Sequence, residues 1–251
     1  AKNGDNIAEK SANLAWYEGP TLLQAFEGIP QAKKLSEKPL RIPLSDFYKI
    51  AGGIVPFGRI ESGTFKLNSE ICFAPADVQT KVTAFETISG GITNEAPPGY
   101  NMGFSVEKKI KIEDLKKGYV CGEHKNDPPR EALSFEALVS LTNDAEKIEK
   151  GSSIIIDIHT AKIACEVAEI KQKINKKDGS VVKRNPESLE AQDFALIKFV
   201  PKEPLSVDTF SEYSTLGRFA LRSGETQIGT GIVSSVEKKA LAGAETNAAG
   251  K

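Results

Sequence analysis

The sequence predicts an all-β chain of two consecutive antiparallel β-barrels preceded by a short helical segment. Strand-like apolar runs recur from Pro39 to Lys238, separated by Gly, Asn and Pro turns at short, fairly regular spacing, which favours closed barrels over an open sheet. One break divides the series: HKNDPPR at 124–130 contains Pro128-Pro129, which can neither continue a strand ladder nor enter a helix. A third observation sits ahead of the strands, where TLLQAFEGI at 21–29 has helical spacing and a cap. The expected division is therefore a segment at 1–37, a first barrel at 38–124, a second barrel at 125–238 and a disordered tail at 239–251.

In the first segment Thr21 caps the helix, Gln24 takes the return position of a capping box, and Leu22, Phe26 and Ile29 line one face. One amphipathic helix cannot bury that face alone, and Trp16 and Tyr17 also want a partner surface, so 1–37 reads as the tail of something larger. From Lys38 to Gly63 runs an opening hairpin, with Leu40, Ile42 and Leu44 alternating against Arg41. At its turn Gly52 and Gly53 lack a Cβ, so the backbone can take positive φ and admit a close neighbour; an unliganded tight turn explains the same spacing. EICFAPADV, KVTAFETI, NMGFSVEKKIKI and GYVCGE complete the first set, with KIEDLKKG expected to make one helical turn before the last strand. The second set is ALSFEALVSLT, SSIIIDIHT, KIACEVAEIKQKI, FALIKFV, PLSVDTF, GRFALRS and TQIGTGIVSSVEK.

Composition is that of an ordinary globular chain: of 251 residues, 39% are hydrophobic and 27% charged. Lys plus Arg total 33 and Asp plus Glu 34, so the net charge of −1 exerts no global pull on nucleic acid. Any RNA contact must come from a local patch. Cys72, Cys121 and Cys165 each lie in an apolar run without CxxC spacing, as expected of reduced core residues in a cytoplasmic protein. Neither a leader nor a run of membrane-spanning length occurs, so no membrane partner is expected.

Several motifs have bland readings. Asn175-Lys176-Lys177-Asp178 spells the guanine-reading pattern of GTPases, but no GxxxxGK[ST] loop accompanies it and Gly179 follows, which makes it a hairpin turn. No helix follows Gly52, Gly53 and Gly58, which rules out a dinucleotide loop. Asp157, His159 and Cys165 lack ligand spacing, so no metal is expected, and a core or hydrogen-bonded histidine is the better reading. His124 has no nucleophile beside it, so no catalytic residue is assigned.

The wording of these runs resembles that of eukaryotic and archaeal translation elongation factor 1-alpha. GDNIAEKSANLAWYEGPTLLQA resembles the end of that family's GTP-binding domain. VPFGRIESG at 55–63, KNDPP at 125–129, HTAKIAC at 159–165 and LGRFALR at 216–222 resemble family wording in order and interval. Together these pieces cover nearly the whole chain. Peptide-release and ribosome-rescue relatives share the barrels, but HTAKIAC and KNDPP are closer to the elongation factor.

The resemblance implies that 1–37 is a remnant of the GTP-binding domain and that the barrels bind while a domain absent from this chain does the chemistry. GTP and Mg2+ then belong to the complete family protein, a GTPase, and no cofactor is expected here. Implied partners are aminoacyl-tRNA, the ribosome, a nucleotide-exchange factor and actin. Carried over position by position, the pocket for the terminal adenosine of charged tRNA would be walled by Ile50, Gly52, Gly53 and Glu86, with Asn101 towards the amino acid. Glu86 would lie against adenine and accept a ribose hydroxyl; its bland reading is a solvated strand glutamate. Tyr100 stands where the family has an acidic residue, the loop between Glu86 and Asn101 is a residue longer, and the loop Ala51 to Ile54 a residue shorter. SGETQIG at 223–229 lacks the family's arginine, glutamine and threonine order. Two rivals stay open: a protein-interaction module without useful tRNA affinity, and a release-factor-like relative.

Overall fold

Residues 3–29, 35–50, 53–86, 94–107, 110–111 and 114–240 are described by the structure, a computed structural model. They fall into two compact units, Ala1–Lys34 and Leu35–Lys251. In the first, Ser11 caps a 3-10 turn at Ala12–Leu14, and Asp5 accepts hydrogen bonds from Ser11 Oγ and Asn13 Nδ2. A short helix, α1 (Leu22–Glu27), carries both halves of the expected capping box: Thr21 Oγ1 accepts from the Gln24 N–H, and Gln24 Oε1 accepts from the Thr21 N–H. α1 buries none of its residues, and Leu22, Phe26 and Ile29 all stay exposed.

Along the second unit, apolar residues alternate inward and strand edges pair until the sheet closes. The first barrel comprises β1 (Ile42–Ile50), β2 (Gly53–Arg59), β3 (Phe65–Lys66), β4 (Glu70–Ala74), β5 (Val78–Glu86), β6 (Glu95–Ala96), β7 (Asn101–Val106) and β8 (Val120–Glu123). Six of these close in the order β1-β2-β7-β5-β4-β8, with β1 hydrogen-bonded back to β8, while β3 and β6 pair separately. Leu40, Ile42, Leu44, Ile71, Phe73, Val82, Met102 and Phe104 fill the interior. Phe104 meets Phe65 edge-on and Phe73 in parallel, an arrangement aromatic quadrupoles favour. The helical turn expected at KIEDLKKG falls partly on residues outside those described; Gly118 ends the segment at φ +92°.

β9 (Ala132–Leu141), β10 (Ile148–Glu149), β11 (Ser153–Ile158), β12 (Ala161–Ile174), β13 (Val181–Arg184), β14 (Ser188–Leu189), β15 (Phe194–Pro201), β16 (Arg218–Ser223) and β17 (Thr226–Lys238) make the second barrel. The order β11-β16-β17-β9-β15-β12 closes through a β11–β12 pairing, leaving β13 on one edge of β12. Phe135, Phe199 and Phe219 cluster at its centre. β17 lies between β9 and β16, with Gly231 bare because a Cβ there would meet the Phe219 ring at 2.3 Å. One expected strand is absent: PLSVDTF forms only an isolated bridge between Glu131 and Ser206. Its backbone leaves the ladder after Ser206, and Asp208 instead serves the junction between barrels. The expected tail at 239–251 lies outside the described residues from 241 onward, and Lys239 is bound to Glu131 through both its backbone and its ammonium.

Arg41 holds the barrels together. Its side chain points out of the first barrel, between inward-facing Leu40 and Ile42, yet it is fully buried because the second barrel covers it. Nε donates to Asp208 Oδ2 at 2.8 Å, and the two terminal nitrogens donate to the Asp127 carbonyl at 2.8 Å and Asp127 Oδ2 at 2.7 Å. The guanidinium also lies 4.7 Å from the Tyr213 ring centroid, within cation–π range. Lys238 takes the second oxygen of Asp208 at 2.5 Å. Around this polar knot Val120 packs on Tyr213 and Leu216, and Gly118 lies so close to Ala161 that a Cβ would fall 2.7 Å from it.

Candidate nucleoside-binding face

Strand register builds a face on the outside of the first barrel. Met102 and Phe104 of β7 point into the core, so Asn101, Gly103 and Ser105 point out. Gly103 pairs with Phe57 on one side and Glu86 on the other, and Phe57 pairs in turn with Asp46. The row is therefore Asp46, Phe57, Gly103, Glu86. Tyr48 and Val55 form the adjacent pair, and the Tyr48 and Phe57 rings meet edge-to-face at 6.2 Å. Val55 crosses the bare backbone of Gly103, where a Cβ would come within 2.9 Å of Val55 Cγ1 and 3.3 Å of Glu86 Cβ. Val55 and Gly103 are buried in this row, Tyr48 is its exposed apolar group, and a carboxylate lies at its edge.

Glu86 ends β5 and is exposed. Ser105 Oγ donates to its Oε1 at 3.2 Å, and Oε2 has no partner among the described residues. A carboxylate held on one oxygen and open on the other suits a hydroxyl or amino donor on a flat ligand. Of the other expected site residues, Asn101 is exposed two residues along β7 from Gly103, opposite Arg59, about 7 Å of strand away. Ile50 and Gly53 are the last pair of the β1–β2 ladder, four residues from Phe57 in the opposite direction, or about 13 Å. Gly52 lies outside the described residues. Glu86 thus sits between the two, beside Gly103, Val55, Phe57 and Ser105, none of which was singled out from the sequence. The signal for Val55 and Phe57 was present, since alternation in IVPFGR puts both on one face.

The remaining chemistry-bearing groups are structural. Asn175–Asp178 turns β12 into β13: Asn175 Oδ1 accepts from the Lys177 N–H, Asp178 Oδ1 accepts from the Ser180 N–H and hydroxyl, and Gly179 sits at φ +71°. Those polar groups are used by the turn, and with no GxxxxGK[ST] in the sequence these residues do not fit a guanine nucleotide. Cys72, Cys121 and Cys165 are buried and free; burial pushes the Cys72 thiol up to about 11 and the Cys165 thiol to about 12, which leaves them unreactive. Among the described residues no group of His, Cys, Asp and Glu is arranged to hold a metal ion.

The fold is that of a chain of two consecutive closed antiparallel β-barrels. The family described as "GTP-eEF1A C-terminal domain-like" matches residues 134–234. Elongation factor 1-alpha of Stylonychia lemnae is 40% identical over 250 residues, 99% of this chain and 56% of that protein. That of Eimeria bovis is 40% identical over 249 residues, covering 99% of this chain and 71% of the relative. This chain belongs to the elongation factor 1-alpha family and spans its two C-terminal barrels. Two solved structures of sup35, complexed with GDP and with GMPPNP, superpose with TM-scores of 0.74 and 0.75 at 24% identity, each over 94% of this chain and 57% of sup35; they share the fold.

Proposed function

We propose that this chain supplies the barrels that bind the aminoacylated end of tRNA, within a factor that delivers aminoacyl-tRNA to the ribosomal A site in a GTP-dependent manner. The carrying observation is the Glu86 row: an exposed carboxylate, one of whose oxygens has no partner among the described residues, in register with Gly103 and the ring of Phe57. In this reading the terminal adenine lies beside Glu86, which accepts from the ribose or the base. Asn101, towards the amino acid, and the Ile50–Gly53 turn are the outer ends of the same face. GTP and Mg2+ act outside these residues. The complete factor would meet the ribosome, a nucleotide-exchange factor and actin through other surfaces.

Glu86→Ala is expected to weaken binding of a short aminoacylated acceptor-end mimic by about 1.5–3 kcal/mol, roughly 10- to 150-fold, if the lost bond is charge-assisted. Thermal unfolding should be unchanged, because the side chain is exposed and its single bond to Ser105 is weak. Glu95→Ala on β6, which pairs with β3 and not with β5, serves as the control. Equal binding by wild type and Glu86→Ala would return Glu86 to a solvated strand residue. Binding indifferent to acylation would favour a protein-docking module over a tRNA carrier.

A further inference from the structure

We infer that Asn3 is a site of spontaneous covalent modification: in the folded protein it converts to aspartate and isoaspartate, which gives the first unit a slow, one-way charge step. Asn-Gly occurs once in the sequence, at Asn3-Gly4, and its acidic counterpart Asp-Gly once, at Asp178-Gly179. In such pairs the glycine nitrogen attacks the preceding side-chain carbonyl, because no Cβ shields it and glycine reaches backbone angles that bring the two groups together. At Asn3 the Gly4 nitrogen bonds to Cγ, the bond from Cγ to the amide nitrogen breaks, and ammonia leaves with the proton that the Gly4 nitrogen gives up. Water then opens the five-membered succinimide. Opening at the side-chain carbonyl leaves aspartate, and opening at the main-chain carbonyl leaves isoaspartate. Water is the one co-reactant, and each event makes the net charge one unit more negative.

The fold treats the two pairs differently. Asn3 and Gly4 are exposed, and neither the Asn3 amide nor the Gly4 N–H has a hydrogen-bond partner among the described residues. A Cβ built on Gly4 would meet nothing within 4 Å, so no neighbour restrains the approach. Asp178 and Gly179 are exposed as well, but their reacting groups are taken. Asp178 Oδ1 accepts from the Ser180 N–H at 3.0 Å and the Ser180 hydroxyl at 2.7 Å, and the Gly179 N–H donates to the Asn175 carbonyl at 2.9 Å. The bonds from Ser180 also hold the Asp178 carboxyl below its usual range, and a carboxylate is a poorer target than an amide. Exposure alone therefore does not choose the site; the free hydrogen-bonding groups do. The product falls where the first unit is tied together. Asp5 gathers Ser11 and Asn13, Asn6 Oδ1 accepts from the Ser11 N–H, and the carbonyls of Asn6 and Ile7 accept from the Leu22 and Leu23 N–H groups at the start of α1.

The test incubates the full chain at pH 8 and follows the peptides containing Asn3 and Asp178 by mass spectrometry. Isoaspartate is counted with an isoaspartyl methyltransferase and labelled S-adenosylmethionine, and a parallel sample in urea gives each pair's rate in the unfolded chain. Asn3 should react in the folded chain at close to its unfolded rate. Asp178 should be slowed roughly tenfold or more by folding, since its three hydrogen bonds must open first. Asn3→Gln should remove the acidic species that accumulates on isoelectric focusing, and Gly4→Ala should slow it several-fold by shielding the nitrogen. Folding that slows Asn3 as much as Asp178 would overturn the assignment. So would an acidic species that forms as fast in Asn3→Gln as in the wild type.

Discussion

Replacing Arg41 by alanine is expected to destabilise the chain by about 3–5 kcal/mol, the range for removing one partner from a buried ion pair. The loss comes from what is left behind. Burial by itself pushes the Asp208 carboxyl up, and the charges of Arg41 and Lys238 more than reverse this, holding it below the usual carboxylate range. Burial likewise opposes the Arg41 charge, and the Asp208 carboxylate beside it outweighs that effect. Without Arg41, Asp208 keeps only Lys238, Asp127 loses two hydrogen bonds, and the Tyr213 ring loses the guanidinium packed on it. Arg41→Lys should rescue little, because one ammonium cannot reproduce a fork that reaches Asp208 and Asp127 together. Urea unfolding followed by circular dichroism is the measurement. A loss below about 1 kcal/mol would show that the junction rests on the apolar contacts of Val120, Tyr213 and Leu216 instead. A joint Arg41→Met, Asp208→Leu and Lys238→Met change should lose less than Arg41→Ala alone, since no buried carboxylate or ammonium is then left without its partner.

Arg41 also marks where sequence reading ends. Its place in the pattern, between Leu40 and Ile42 just ahead of β1, was legible and set it against the inward-facing residues. What covers an outer side is a non-local fact: the carboxylates that reach Arg41 lie 86 and 167 residues away. KNDPP reads as a boundary from its prolines alone, and nothing local shows that its Asp127, at φ +46°, grips Arg41 through backbone and side chain. PLSVDTF misled because Leu205 and Val207 alternate as a strand should. Both are buried, but the backbone turns away to deliver Asp208 to the junction. The capping box of α1 and the turn at Asn175–Gly179 were readable because each is decided within five residues by local hydrogen bonds. Glu86 needed the resemblance to be noticed, since an exposed strand glutamate has no local signature. Its neighbours Gly103 and Ser105 needed the register between β5 and β7.

Acidification from pH 7 to pH 5 is expected to reduce stability by about 2 kcal/mol through His159 alone. This residue turns β11 into β12 at φ +42°, with its Nε2–H donating to the Ser206 carbonyl at 3.1 Å and its Nδ1 accepting from the Thr160 N–H at 2.8 Å. That arrangement needs a neutral ring, because a second proton on Nδ1 would face an N–H donor. Burial lowers the imidazole from 6.5 to about 4, against smaller opposing effects from the Ser206 carbonyl and the Asp208 carboxylate. A histidine depressed in the fold leaves the unfolded chain holding more protons between those two values. Stability is then complete above about pH 6.5 and is lost as the pH falls towards 4. Asp208 keeps its charge throughout the window from 7 to 5, being held below the usual carboxylate range, so it does not blur the reading. Urea midpoints measured at pH 7, 6 and 5 should fall steadily for the wild type. His159→Gln, whose amide can still donate to Ser206 but does not titrate, should start less stable and show a flatter dependence. A wild-type profile parallel to that of His159→Gln would mean that the imidazole protonates in the folded state as readily as in the unfolded one.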